Sequence, residues 1–260
     1  MWNAIRAEFI KLTTTKSFYI TSLLYVLIAV GLAGMSAYGT RQLAQNPEFA
    51  GSEVEFIVEP RGLIFTLDVV AAIVMVQAVL MVTSEYSRNQ STATFTAMPR
   101  RWRVAAAKCV LYAVVVAILS FLTLILVLYV GKIMGGEAAS SMQIWGDDYV
   151  QHALWAKPVA LVLSIVFAMG FAWLLRNTAG ALLVVLVWSL GLELILGNML
   201  PRVGTYISGY GPFNHLTAFQ TTQPVVEGPD WDPILSGLYF AVWAAVIFAA
   251  GLLAMKKRDA

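Results

Sequence analysis

Two acidic residues, Asp68 and Glu193, stand inside long apolar runs of the 260-residue sequence. Ionisable side chains in such runs are a functional signal by default, because hydrocarbon does not solvate charge. With Gln77 they are candidates for a cavity that favours cationic or zwitterionic substrates. Two other outcomes stay open for each acid: it is neutralised by protonation, or it is neutralised by a snorkelling Arg61 or Arg202.

Residue patterns that support catalysis or ATP binding do not occur in the sequence. There is no HExxH pair of zinc ligands, no GxSxG nucleophile elbow, and no GxxxxGK followed by Ser or Thr. His152 and His215 are predicted to be solvated residues of separate outside loops, and the single cysteine, Cys109, excludes an internal disulfide and a multi-cysteine metal site. We therefore predict a chain that is not an enzyme and that carries no cofactor or metal of its own.

The composition indicates an integral membrane protein. The mean hydropathy is +0.74, and 12% of the residues are charged, against about 25% in soluble domains. A span takes about 20 apolar residues, and six runs qualify. They are residues 18–38, 62–83, 104–130, 158–175, 179–200 and 234–255.

These runs are too long and too continuously apolar for the strands of a membrane barrel, so their backbone groups must be satisfied within helices. The predicted fold class is all-α: one polytopic transmembrane domain over residues 1–260, with six transmembrane helices. The first run is longer than the 7 to 15 residues, roughly, of a signal-peptide core, and it is predicted to be retained as an anchor.

The charged residues indicate how the chain crosses the membrane. With the N-terminus inside, twelve of the 17 Lys and Arg residues fall in inside segments and ten of the 15 acids in outside segments, as the positive-inside rule requires. Both termini are therefore predicted to be cytoplasmic. Residues 84–103 form the only sizeable inside loop. The outside connector 201–233 is either a short re-entrant or interfacial element or a plain exposed loop.

Two inside segments have helical patterns. In residues 1–17, Trp2, Ile5, Phe9 and Leu12 recur at helical spacing among charged residues, which predicts an amphipathic helix in the headgroup region. A simple charged anchor is the alternative.

Residues 88–98 suit a short, mostly uncharged helix that ends before Pro99. The arginines after Pro99 are suited to lipid phosphates. They do not explain why so many uncharged polar residues precede them, and this points to a surface that another protein contacts.

Both segments also resemble a known family, the bacterial type-2 ABC transporter permeases. AEFIKLTTTKS, residues 7–17, is similar to the family's opening E-F/W-x-K-L-x-T-x-K/R-S, and SEYSRNQSTATFTAMPRRWRVAAAK, residues 84–108, is similar to its segment after the second span, with S-E-Y, a threonine, P-R-R and a lysine. The resemblance covers the whole chain in layout and is specific over these two motifs.

The resemblance implies a permease of a bacterial plasma membrane that exports a drug, a lipid or an antimicrobial peptide. It implies a dimer, with an identical chain or a paralogue, in which each half docks a separate nucleotide-binding subunit that holds ATP and Mg. Membrane lipids are further partners, and no nucleic acid is expected. The residues assigned to ATPase coupling are Glu8, Lys11, Glu85, Tyr86, Arg88, Thr92, Phe95, Met98, Pro99, Arg100 and Arg101.

The alternative is an ATP-independent channel or secondary transporter. ISGYG, residues 207–211, is similar to the carbonyl-lined filter of potassium channels, but Pro212 follows it at once. The inverted repeats of many secondary transporters are not evident. An ATPase encoded by an adjacent reading frame would favour the permease.

Overall fold

The computed structural model describes residues 2–46, 56–87, 101–200 and 202–258. The helices in these ranges are α1 Trp2–Thr14, α2 Lys16–Ala44, α3 Pro60–Ser87, α4 Arg101–Gly135, α5 Asp148–Leu175, α6 Thr178–Val187, α7 Glu193–Met199, α8 Gly204–Tyr210, α9 Pro212–Thr221 and α10 Pro233–Arg258. A 3₁₀ turn, Gly136–Ala139, extends α4, and a π-helical turn, Trp188–Leu192, joins α6 to α7.

Within the described ranges, six helical stretches are long and apolar enough to cross a membrane, and each contains most of one predicted run. They are Lys16–Ala44, Pro60–Ser84, Trp102–Ala139, Asp148–Leu175, Thr178–Met199 and Pro233–Lys257. The predicted all-α fold with six transmembrane helices is therefore confirmed, and the chain is a multi-pass membrane protein.

The spans form a bundle with α3 and α5 at its centre. In their most apolar windows, 56% of the α3 residues and 61% of the α5 residues are buried, against no more than 33% in the other spans. Gly170 of α5 and Gly251 of α10 let these two helices touch, because a Cβ at Gly170 would lie 2.7 Å from the Phe248 backbone nitrogen. Small residues commonly permit such contact between membrane helices.

The two ends of the bundle are named here by their short helices. At the α1 end lie α1, the start of α2, the end of α3 and the start of α4. At the α9 end lie α7, α8 and α9, with the start of α10. The predicted amphipathic N-terminal segment is indeed helical: Leu12 is buried against the bundle and Phe9 is exposed.

The fourth span begins at Asp148, not at the predicted residue 158. Asp147 caps its first turn by accepting a hydrogen bond from the Val150 amide at 3.1 Å, and Pro158 lies inside the helix. The predicted start was wrong because the polar residues between Asp148 and Pro158 interrupt the apolar run. As a result Lys157, which charge counting assigned to an outside connector, belongs to the span.

The connector before the last span is not a plain exposed loop. It contains α8 and α9, and α9 packs on α10 and α5 with Leu216 and Phe219 buried. His215 also lies in α9 and is fully buried. The prediction of solvated loop histidines is therefore wrong for His215, whose ring stacks on Trp231. It is also wrong for His152, which lies in α5 and packs against Trp155 and Phe219.

Candidate functional site

The residues assigned to ATPase coupling fall into three groups. Arg88, Thr92, Phe95, Met98, Pro99 and Arg100 lie outside the described residues. Glu85 lies in the last turn of α3 and Arg101 begins α4. The structure therefore describes the two helices that flank the predicted coupling segment. Glu8, Lys11 and Tyr86 have described side chains, and all three lie at the α1 end.

Glu8 joins the N-terminal helix to the fourth helix of the chain. Its Oε2 accepts a hydrogen bond from Lys108 Nζ at 2.6 Å, and its Oε1 accepts one from Lys11 Nζ at 3.1 Å. The Glu8 and Lys108 side chains are each only 3% exposed, whereas Lys11 is 45% exposed. Because separating a buried pair leaves an uncompensated charge, this contact holds α1 firmly against α4.

Lys108 was not among the residues assigned to coupling, although it closes the second motif. Glu8 belongs to the first motif, so the pair connects two motifs that lie 100 residues apart. Opposite charges in two segments next to the membrane were the available signal. Sequence alone could not pair them, because several lysines and arginines occur on the predicted inside face.

A cavity of about 450 Å³ opens between α1, α2 and α3 beside this ion pair. Lys11, Ser17, Gln77 and Ser84 are among its lining residues. Gln77 Oε1 accepts hydrogen bonds from Ser17 Oγ at 2.8 Å and from Thr21 Oγ1 at 3.3 Å. Gln77 therefore belongs to the α1 end and ties α3 to the start of α2.

Tyr86 stands in an aromatic and cationic cluster at the same end. Its ring contacts Trp173 edge to face at 5.9 Å, and the Arg176 guanidinium lies 4.9 Å from the centre of the ring. Arg176 Nη2 also donates a hydrogen bond to the Met255 carbonyl oxygen at 3.3 Å. Three spans, α3, α5 and α10, thus meet where α3 ends before the predicted coupling segment.

Asp68 is paired with Lys157 near the α9 end. Lys157 Nζ lies 2.8 Å from Asp68 Oδ1 and 2.7 Å from Oδ2. The Lys157 side chain is 2% exposed, and the Asp68 side chain is 30% exposed. Snorkelling of Arg61, one of the alternatives left open for Asp68, is not what the structure shows, since Arg61 lies over the Tyr149 ring at 4.8 Å. Extending the predicted fourth span upstream would have placed Lys157 within the membrane as a further candidate partner.

A cavity of about 190 Å³ surrounds the exposed side of Asp68, and we call it the Asp68 cavity. Residues of α2, α3, α4, α5, the π-helical turn and α9 line it. Its polar lining residues other than the ion pair are Tyr25, Ser120, Ser164, Ser189, Thr217, Gln220 and Thr221.

Glu193 does not line the Asp68 cavity. It is buried, and its Oε1 accepts hydrogen bonds from Trp188 Nε1 at 2.5 Å and from the Phe213 amide at 3.0 Å. Its Oε2 accepts one from the Asn214 amide at 2.9 Å. A carboxylate at a helix N-terminus satisfies amides that lack an intrahelical partner. Glu193 therefore anchors α9, and Asp68, Gln77 and Glu193 lie in three separate places.

The two histidines both contact the helical connector at the α9 end. His215 Nε2 donates to the Gly209 carbonyl oxygen at 3.0 Å, and Nδ1 accepts from Ser236 Oγ at 3.1 Å. Burial lowers the pKa of His215, and the hydrogen bond to Gly209 opposes that shift. His152 Nε2 lies 2.7 Å from the Phe219 carbonyl oxygen. Among the described residues, no three His, Cys, Asp or Glu side chains form a group that could hold a metal.

No protein-family model matches the chain, and a search of curated proteins finds no significant match. Any assignment of function therefore rests on the two sequence motifs and on the geometry described above.

Proposed function

We propose that this chain is the membrane-spanning permease subunit of an ATP-driven ABC exporter. It forms the translocation path as a dimer, with an identical or paralogous permease, and separate ATPase subunits bind ATP and Mg. Both termini face the cytoplasm of a bacterial cell, and the α1 end is the cytoplasmic end. The substrate is a drug, a lipid or an antimicrobial peptide.

The Glu8–Lys108 ion pair is the observation that carries this proposal. In an ABC permease the ATPase must act on the interfacial helix and on the loop after the second span. The pair joins the first of these segments to the helix that follows the second in the chain, since Glu8 lies in α1 and Lys108 lies in α4. A displacement of either segment is passed to the other, because breaking the pair would leave a buried charge.

The mechanism requires two states of the bundle that bind the substrate differently, because a ligand shifts an equilibrium only by its differential affinity. Closure of the ATPase subunits on ATP displaces α1 and the loop. That displacement reaches α3, α5 and α10 through the Tyr86 cluster at the same end. The spans then change from inward-open to outward-open.

The test is co-purification of the tagged chain with the ATPase encoded by an adjacent reading frame, followed by an ATPase assay in proteoliposomes. We expect a stable complex whose ATP hydrolysis is faster than that of the isolated ATPase. Glu8→Gln and Lys108→Met should each reduce this stimulation at least about tenfold if the joint transmits the motion.

Lys132→Met is the matched control, because Lys132 is a lysine at the opposite end and donates to the Met142 carbonyl oxygen. It should leave the stimulation unchanged. A purified chain that binds no ATPase and moves solute without ATP would contradict the permease and support a channel or secondary transporter.

A further inference from the structure

The Asp68 cavity contains a complete ion pair within the membrane-spanning part of the chain. Asp68 and Lys157 neutralise each other, and no other ionised side chain of the described residues lines the cavity. A simple cation that bound Asp68 would have to displace Lys157 and leave its ammonium buried without a counter-ion. A simple anion at Lys157 would leave Asp68 in the same position.

A zwitterion avoids this cost. Its positive group meets Asp68 while its negative group meets Lys157, so every charge keeps a partner throughout binding. The Gln220 side-chain amide lines the same cavity and makes no hydrogen bond within the part of the chain that the structure describes. It is therefore available to donate to an anionic oxygen of the ligand.

The size and the opening of the cavity suggest that only part of the ligand enters it. Its volume of about 190 Å³ is below the roughly 300 to 1,000 Å³ typical of sites for drug-sized molecules. Phe65 and Leu190 line it, and their side chains are 62% and 70% exposed. Because both side chains belong to spans and are exposed, the cavity opens on the outer surface of the bundle, and an apolar tail can leave there.

The fifth span, which lines the cavity, is not a continuous helix. The fifth span is interrupted by the π-helical turn Trp188–Leu192, in which Gly191 has a φ of 122° and a ψ of 23°. Such turns occur frequently at functional sites, and broken spans often line binding sites. Ser189 and Leu190 of this turn line the cavity, and Glu193 after it holds the first turn of α9.

Movement of the broken span is therefore passed to α9, which covers the cavity with Leu216 and Thr217. Such a movement is needed for binding, because the Lys157 ammonium is buried beneath the Asp68 carboxylate.

We propose that the Asp68 cavity binds the zwitterionic head group of an amphiphile, an ammonium joined to a phosphate on an apolar tail. The ammonium lies at Asp68, the phosphate lies at Lys157 and Gln220, and the tail leaves between Phe65 and Leu190. A role for this ligand as the exported substrate rests on the proposed function, but binding itself does not.

The experiment measures binding to the purified full chain in a neutral maltoside detergent, without ATP. Dihexanoyl-phosphatidylethanolamine and dihexanoyl-phosphatidylglycerol carry the same tails, and they are titrated below their critical micelle concentrations by calorimetry. We expect the zwitterionic lipid to bind at least about tenfold more tightly, because it satisfies both members of the ion pair. Equal affinities would overturn the proposal.

The decisive variant is Asp68→Asn with Lys157→Gln, because it removes both charges together and leaves no uncompensated one. The preference for phosphatidylethanolamine should then disappear. Lys132→Gln with Asp148→Asn removes the same two charge types at the α9 end without touching the cavity lining, and it should keep the preference. A preference that persists in the first double variant would overturn the proposal.

Glycerophosphoethanolamine has the head group without tails. It distinguishes a site for a lipid head group from a site that also accepts a soluble zwitterion. Competition at concentrations similar to those of the lipid supports a head-group site that also accepts a soluble zwitterion. Competition that needs far higher concentrations supports a lipid. Since binding is measured without the ATPase, its failure would leave the permease proposal standing, and the absence of an ATPase partner would leave the binding result intact.

Discussion

Glu8 and Asp68 are both carboxylates that accept hydrogen bonds from a lysine, but their surroundings differ. Glu8 and Lys108 are equally buried, which suits a fixed joint between two helices. Asp68 keeps an exposed side on a cavity while Lys157 is buried behind it, which suits a site that a ligand can approach. Both pairs line a cavity, so at the scale of single residues it is the exposure of the acid that distinguishes the fixed joint from the proposed ligand site.

The Glu8 joint can be tested through stability. We expect Lys108→Met to lower the free energy of unfolding by about 3 kcal/mol, because Glu8 stays buried and loses its closest partner. Lys11→Met should cost less than about 1 kcal/mol, since the Lys11 side chain is 45% exposed and its charge stays solvated. Unfolding of the purified chain by SDS, followed by tryptophan fluorescence, measures both. The double variant Glu8→Gln with Lys108→Met should recover most of the loss, and equal costs for the two lysine variants would contradict this assignment.

His215 predicts a pH dependence of stability. Its pKa is lowered in the folded chain, so the unfolded chain binds a proton more readily. Stability should be complete above the ordinary histidine pKa of about 6.5 and should decrease as the pH falls below that value. Thermal unfolding midpoints between about pH 5 and pH 7.5 measure this window.

The two histidine variants separate this effect from other titrations. His215→Asn should lower the unfolding midpoint at neutral pH, because the fit against Trp231 and Ser236 is lost, and it should remove most of the decrease at low pH. His152→Asn should retain that decrease. If His215→Asn kept the full pH dependence, another group would be responsible.

At the scale of elements, the fifth span differs from the other five. Its π-helical turn divides it into α6 and α7, and only 17% of its most apolar window is buried. The break brings Ser189 to the Asp68 cavity and Glu193 to the N-terminus of α9. A continuous helix would have placed these side chains elsewhere. The break therefore positions both the part of the fifth span that lines the cavity and helix α9, which covers it.

Gly191 should be necessary for this break. A Cβ at Gly191 would meet no atom within 4 Å, so any cost of Gly191→Ala comes from its positive φ alone. We expect a loss of about 1 to 3 kcal/mol. Gly31→Ala is the matched control, because Gly31 also has open space around it but lies in the regular helix α2. That variant should be neutral or stabilising by up to about 1 kcal/mol. SDS unfolding compares the two, and equal effects would contradict a role for the backbone conformation.

At the scale of the whole molecule, the chain separates two kinds of site. The α1 end holds the Glu8 joint, the Tyr86 cluster and the polar cavity at Gln77. The α9 end holds the Asp68 cavity and the anchored helix α9. The central helices α3 and α5 contribute to both ends, so they physically connect the proposed contact with the ATPase to the proposed ligand site.

The proposed connection to the motor predicts a specific loss of function. Replacement of residues 92–98 by a glycine-serine linker of the same length should abolish the stimulated ATPase activity while the chain still inserts into the membrane. A replacement of equal length over residues 48–54, in the predicted outside connector, should keep that activity. ATPase rates in proteoliposomes and membrane fractionation measure the two properties. Full stimulation by the first variant would contradict the coupling role of the loop.

The sequence by itself determined the number of spans, because an apolar run of sufficient length must form a helix in lipid whatever its neighbours are. It also determined that residues 2–14 form a helix, and it singled out Glu8 and Asp68. These are properties of local composition and spacing, which a sequence states directly. The start of the fourth span was missed because that helix carries polar residues in its first turns.

Only the tertiary structure decided which residues meet. Lys157 reaches Asp68 across 89 positions and Lys108 reaches Glu8 across 100, and such pairs depend on how helices pack and turn. Glu193 is the clearest case: its burial in an apolar run indicated a substrate acid, but the break at Gly191 turns it towards the amides of α9. Packing between distant segments decides the partner of a buried charge, and the partner decides whether that charge anchors a helix or meets a ligand.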